Sequence, residues 1–103
     1  MKYPVAMNML VYGPDMNESL IPHLSYIKEV GYTGVEIPIF ETDLAYWKPW
    51  KEEIDRLGLE VFTVTFLGAD RNTISSDPAV RKNGVEFLKK AVDVTAYLGA
   101  SWL

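Results

Sequence analysis

Gly34-Val35-Glu36-Ile37-Pro38-Ile39-Phe40 is a short run of β-branched and apolar residues in which Glu36 is the only charge. A strand that is apolar on both alternating faces is covered on both sides, as in a parallel sheet flanked by helices. The flanking sequence agrees. Upstream, Leu20, Leu24, Ile27 and Gly31 are spaced for one face of a helix that starts at Ser19, with Asn17 or Ser19 as cap, Pro22 in its first turn and Gly31 as its stop. Downstream, Pro49 suits a first helical position, which predicts a second helix from Pro49 to Leu57. Trp50, Ile54 and Leu57 form its apolar face, Glu52 and Arg56 lie at i,i+4 on its outer face, and Gly58 ends it.

The same pattern continues to both ends. Tyr3 to Val11 reads as a buried strand closed by the turn Gly13-Pro14-Asp15, and Leu59 to Leu67 as a third strand. After a loop from Gly68 to Ser76, Asp77-Pro78 opens the longest helix, with Val85, Leu88, Val92 and Ala96 on one face until Gly99. Ala100 to Leu103 begins a fourth apolar run. Strands alternating with helices give an α/β fold of parallel βα units with right-handed crossovers. Such units build either a closed barrel or an open doubly wound sheet. The turn Tyr12-Gly13-Pro14-Asp15-Met16-Asn17 carries neither a G-x-G-x-x-G fingerprint nor a Walker lysine, which disfavours a nucleotide-binding sheet.

Composition removes several classes of function. The chain has 103 residues and a formal net charge of -4, and its Lys and Arg residues are dispersed among acids. Without a basic stripe there is no nucleic-acid partner to expect. Cys is absent, so disulfides and thiolate sites are excluded and a reducing, cytoplasmic setting is expected. The stretch Met1 to Gly13 lacks the pattern of a signal peptide, and no apolar run approaches the roughly 18 residues of a membrane span. Residues 1–103 are read as a single domain, and a barrel of about 250 residues would hold roughly 31 per βα unit.

The run Asn72-Thr73-Ile74-Ser75-Ser76-Asp77-Pro78-Ala79-Val80-Arg81-Lys82-Asn83-Gly84, followed by Leu98-Gly99-Ala100, resembles the third βα unit of the xylose isomerase-like sugar isomerases and epimerases, in particular the D-tagatose and D-psicose 3-epimerases. Val30-Gly31-Tyr32 and Gly34-Val35-Glu36 resemble the same family's first helix end and second strand. The resemblance implies a parallel (β/α) barrel, a TIM barrel, of which this chain carries the first three βα units and the start of strand four. It implies a small-molecule sugar substrate and a divalent metal, Mn²⁺, Mg²⁺ or Co²⁺, in the complete barrel. It also implies two glutamates moving a proton at carbon 3 through an ene-diolate. In that family the metal ligands and those glutamates come from later strands, so no catalytic residue and no metal ligand is assigned here.

Five residues are candidate substrate contacts. Glu36, strand-borne among apolar neighbours, is either a sugar-orienting group or a barrel-interior carboxylate paired with a Lys, an Arg or a backbone donor. Apart from it, only Lys2 and Glu60 are strand-borne and ionisable. Asn8 near the end of strand one is either a hydroxyl donor or an amide bound to backbone. Tyr12, Phe66 and Trp102, at or just past strand ends, offer faces to sugar C–H groups or pack locally. Tyr46 and Trp47, ahead of the second helix, are weighed the same way. His23 is expected on the surface, Asp77 as a cap, and Arg81 beside an acid or a phosphate. Two alternatives stand beside the epimerase reading: another isomerase of the superfamily, or a non-catalytic partial barrel forming a homo-oligomer through exposed sheet edges.

Overall fold

A computed structural model describes residues 3–103, so Lys2 lies outside the described residues. Three strands, β1 (Ala6–Asn8), β2 (Gly34–Pro38) and β3 (Glu60–Val64), form one sheet in the order β1-β2-β3, and both pairings are parallel. Each strand is followed by a helix: α1 (Pro22–Glu29), α2 (Leu44–Leu57) and α3 (Pro78–Leu98). The alternation read from the sequence is the alternation of the fold.

The sheet is covered on one face. Val35, Ile37 and Ile39 are fully buried and join Leu24, Ile27, Trp47, Trp50, Ile54 and Val94 in the core cluster. Because side chains alternate along a strand, Glu36 points to the opposite face. The register puts Asn8 beside Glu36 and Glu36 beside Phe62. On that face Asn8 is exposed and Glu36 and Phe62 are half-buried. The expectation of a strand covered on both sides therefore holds for one face of β2 within this chain.

Several boundaries differ from those expected. The first strand stops at Asn8, not Val11, because the Asn8 side chain accepts from the Leu10 amide at 2.9 Å and turns Met9–Tyr12 into a 3-10 helix. The predicted first helix is split into a 3-10 turn at Glu18–Leu20, capped by Asn17, and α1, which begins at Pro22. β2 and β3 end at Pro38 and Val64, short of Phe40 and Leu67. Pro38 is tolerated in the middle strand because β1 pairs with β2 only as far as Glu36.

The second helix starts at Leu44 rather than Pro49. Asp43 caps the Ala45 amide at 3.0 Å, and Pro49 lies inside the helix. An interior proline costs about 3 kcal/mol relative to alanine. Starting at Leu44 places Trp47, Trp50 and Ile54 on one stripe and buries all three, at about 1.5–3 kcal/mol for each large side chain. Burial outweighs the proline. On the outer face Arg56 pairs with Glu53 and Lys51 with Asp55, in place of the expected Glu52–Arg56 pair.

Ala100 to Leu103 forms no strand. The Ala100 amide closes the end of α3 on the Thr95 carbonyl, and the Trp102 carbonyl accepts from Thr63 Oγ1 at 3.2 Å. The segment therefore lies against β3 through a side-chain bond instead of a backbone ladder. No helix among the described residues is long and apolar enough to cross a membrane.

Candidate functional site

The Asn72 to Gly84 run is a clasp that fixes the loop after β3 onto α3. Asn72 Oδ1 accepts from the Ile74 amide, Ser75 Oγ from the Asp77 amide, and Asp77 Oδ1 from the Ala79 amide, at 2.9–3.1 Å. The Arg81 guanidinium donates to the Ser75 carbonyl at 2.7 Å, and among the described residues no acid pairs with it. Gly84 is fully enclosed: a Cβ there would collide with the Arg71 carbonyl oxygen and stand 2.8 Å from Thr73 Cγ2. The run is architecture rather than chemistry.

The open face of the sheet carries the polar candidates. Asn8 Nδ2 donates to Glu36 Oε1 at 2.7 Å while Asn8 Oδ1 holds the Leu10 amide, so both ends of one amide are engaged. Among the described residues Glu36 has no Lys, Arg or backbone donor as partner; its hydrogen bond comes from Asn8. Phe62 continues the row on β3, and the Trp102 ring packs edge-on against it at 5.9 Å between centroids. Asn8, Glu36, Phe62 and Trp102 therefore form one line across the sheet. Phe62 is the residue that sequence reasoning missed, since it read only as strand bulk; its shared parity with Glu36 depends on register.

Phe66 and Tyr12 lie elsewhere. Phe66 meets Phe40 edge-on at 4.8 Å beyond the C-terminal ends of β2 and β3. The Tyr12 ring packs on His23 of α1 at 5.1 Å, and no contact joins it to Asn8 or Glu36 among the described residues. Tyr46 and Trp47 flank a cavity at the strand ends that also has Phe66 in its wall. Among the described residues no three His, Cys, Asp or Glu side chains gather closely enough to hold a metal ion. The described residues thus do not fit a metal centre by themselves.

Residues 24–103 match the family model of the xylose isomerase-like TIM barrel. The chain belongs to this family. Among solved structures, the chain is similar to a D-allulose 3-epimerase from Methylomonas sp. in complex with D-allulose, at 26% identity and a TM-score of 0.81, covering 95% of this chain and 34% of that one. It is similar to an L-ribulose 3-epimerase at 25% identity and a TM-score of 0.79, covering 93% and 33% respectively. A D-psicose 3-epimerase with D-tagatose from Clostridium cellulolyticum H10 shares the fold at 15% identity, with a TM-score of 0.76, covering 93% of this chain and 34% of that one. The chain thus spans about a third of the length of these structures, and its open three-stranded sheet is one sector of their barrel type. No curated protein matches the sequence.

Proposed function

We propose that this chain builds the first wall of the sugar site in a metal-assisted ketose 3-epimerase or isomerase, with Asn8, Glu36 and Trp102 facing the substrate and Tyr12 and Phe66 at its rim. The observation that carries the reading is the Asn8–Glu36 hydrogen bond on the open face, in register with Phe62. Active sites of parallel barrels collect at the C-terminal ends of strands, and Asn8 is the last residue of β1. The amide of Asn8 holds the Glu36 carboxyl toward the barrel interior, leaving its second oxygen to accept a sugar hydroxyl. Phe62 and Trp102 supply apolar faces beside it.

The chain alone supplies a wall and not the reaction. Proton transfer at carbon 3 needs a base within reach and a metal or other electrophile polarising the carbonyl, both assigned to later strands. The setting is a reducing, cytoplasmic one, in keeping with a chain free of Cys. Incubation with D-allulose, D-tagatose or L-ribulose and Mn²⁺ should give no turnover above background. Titration with D-allulose, followed by NMR, should shift the Trp102 indole resonance saturably. Glu36→Ala should abolish that shift while the chain stays folded. An unchanged titration in Glu36→Ala, or no shift in the native chain at any soluble concentration, removes the proposal.

The open edges of β1 and β3 support a second role, association of copies through unpaired strands.

A further inference from the structure

Behind Phe62 and Trp102, on the helix-facing side of β3, two threonine hydroxyls are shut away from solvent. Thr63 of β3 and Thr95 of α3 are each 4% exposed, and their Oγ1 atoms stand 2.9 Å apart. Each hydroxyl also reaches a carbonyl. Thr95 Oγ1 lies 2.8 Å from the Ala91 oxygen one turn back in α3, and Thr63 Oγ1 lies 3.2 Å from the Trp102 oxygen.

Two protons serve these three contacts. A hydroxyl carries one proton and accepts through its lone pairs, whereas a carbonyl oxygen only accepts. If both hydroxyls donate to their carbonyls, the contact between them has no proton and sets lone pairs against each other. One carbonyl is therefore released whenever the hydroxyls are bonded to each other. With Thr95 donating to Ala91, Thr63 donates to Thr95 and the Trp102 oxygen goes free. With Thr63 donating to Trp102, Thr95 donates to Thr63, and the Ala91 oxygen keeps the Thr95 amide, its ordinary helical partner. Each hydroxyl donates once in either arrangement, so the two lie close in energy. The Ala91 contact has the usual O–H···O length and the Trp102 contact is long, which favours the first arrangement at rest.

Trp102 registers the outcome. Its carbonyl meets Thr63, its ring stands edge-on to Phe62 at 5.9 Å, and 64% of the residue is exposed. The segment from Ala100 to Leu103 forms no strand, so no ladder overrides the hydroxyl.

We propose that Thr63 and Thr95 are positioning residues that regulate the sugar wall: their hydroxyls rotate together, with no covalent bond changed, and set how firmly Trp102 is docked beside Phe62. The purpose of the switch rests on the reading of Trp102 as a substrate contact, because a ligand held by its ring draws the pair into the second arrangement. The switch itself belongs to the free chain.

The test reads the heteronuclear NOE of the Trp102 backbone amide in the free chain and then the D-allulose titration at the Trp102 indole. Thr95→Val keeps the side-chain shape and leaves Thr63 only Trp102 to donate to. It should raise the NOE and tighten D-allulose by about two- to tenfold. Thr63→Val should lower the NOE and weaken D-allulose by about the same factor, and Thr63→Ser, which keeps the hydroxyl, should restore native values. A purely structural role would move both valine variants in the same direction, and that result, or an unchanged NOE in both, overturns the switch. If Thr63→Val does not fold, Thr95→Ser decides: it retains the competing acceptor and should stay native-like where Thr95→Val rises, and equal values in the two overturn the switch. Opposite NOE changes without any D-allulose shift in the native chain leave the switch standing and remove the sugar wall. A native D-allulose shift with unchanged NOE in both valine variants removes the switch alone.

Discussion

Gly84 shows how a residue in a helix is chosen by what lies against it. Alanine is favoured over glycine inside a helix by about 1 kcal/mol, so propensity alone recommends Gly84→Ala. The Arg71 carbonyl and the Thr73 methyl occupy the space a Cβ requires, and backbone does not yield as a flexible side chain does. The steric term wins: Gly84→Ala should destabilise the chain by about 1–3 kcal/mol in urea unfolding. A neutral or stabilising result would mean that the loop after β3 is free to lift from α3. The glycine was legible in the sequence as part of a spaced run, but its reason was not, because Arg71 meets Gly84 only after the loop has turned back. Glu36 was legible as a lone charge in an apolar strand. Its partner was not, because the Asn8–Glu36 bond spans a separation of 28 residues and depends on inter-strand register.

At the scale of elements, punctuation by glycine was the most readable signal. Gly31, Gly58 and Gly99 end the three helices with φ of 110°, 65° and 91°, conformations costly to residues with a Cβ. Proline misled in α2: the rule for first-turn proline pointed to Pro49, whereas the helix starts at Leu44 and buries Trp47 along with Trp50 and Ile54. Tertiary burial decided, as it does when two buried tryptophans oppose one helix-interior proline. The unfavourable residue remains in place, so Pro49→Ala should restore a donor to the helix and raise stability by on the order of 1–3 kcal/mol, measured by thermal or urea unfolding. A loss of stability would show that the pyrrolidine ring, which is half-buried, contributes more by packing than it costs.

Among the described residues the molecule is a sheet with helices on one side, its two edge strands unpaired on their outer sides. Apolar groups stay in solvent on α3 and beyond it: Val85, Val92 and Trp102 are all exposed. Exposed strand edges beside apolar surface favour pairing with another chain. Sedimentation should therefore show an average mass that rises above 11.7 kDa as concentration increases, and a concentration-independent monomer would set aside self-association. The barrel membership was legible because alternation and loop chemistry are local. Which face of the sheet stays open in this chain was not, because burial depends on how many βα units are present to close around it.

Asn8 ends β1, starts the next turn and holds Glu36, so replacing it by aspartate separates these duties. An aspartate keeps the oxygen that caps Leu10 but exchanges the N–H facing Glu36 for a second acid oxygen, 2.7 Å from the first. Two carboxyls at that distance do not both ionise; they share a proton, and one pKa of the pair rises. A folded-state pKa above the unfolded one contributes stability that is present in acid and lost as pH rises through it. Asn8→Asp should therefore convert a static hydrogen bond into a proton-operated latch, closed in mild acid and released toward neutral pH, readable as an unfolding midpoint that falls more steeply with rising pH than that of the native chain.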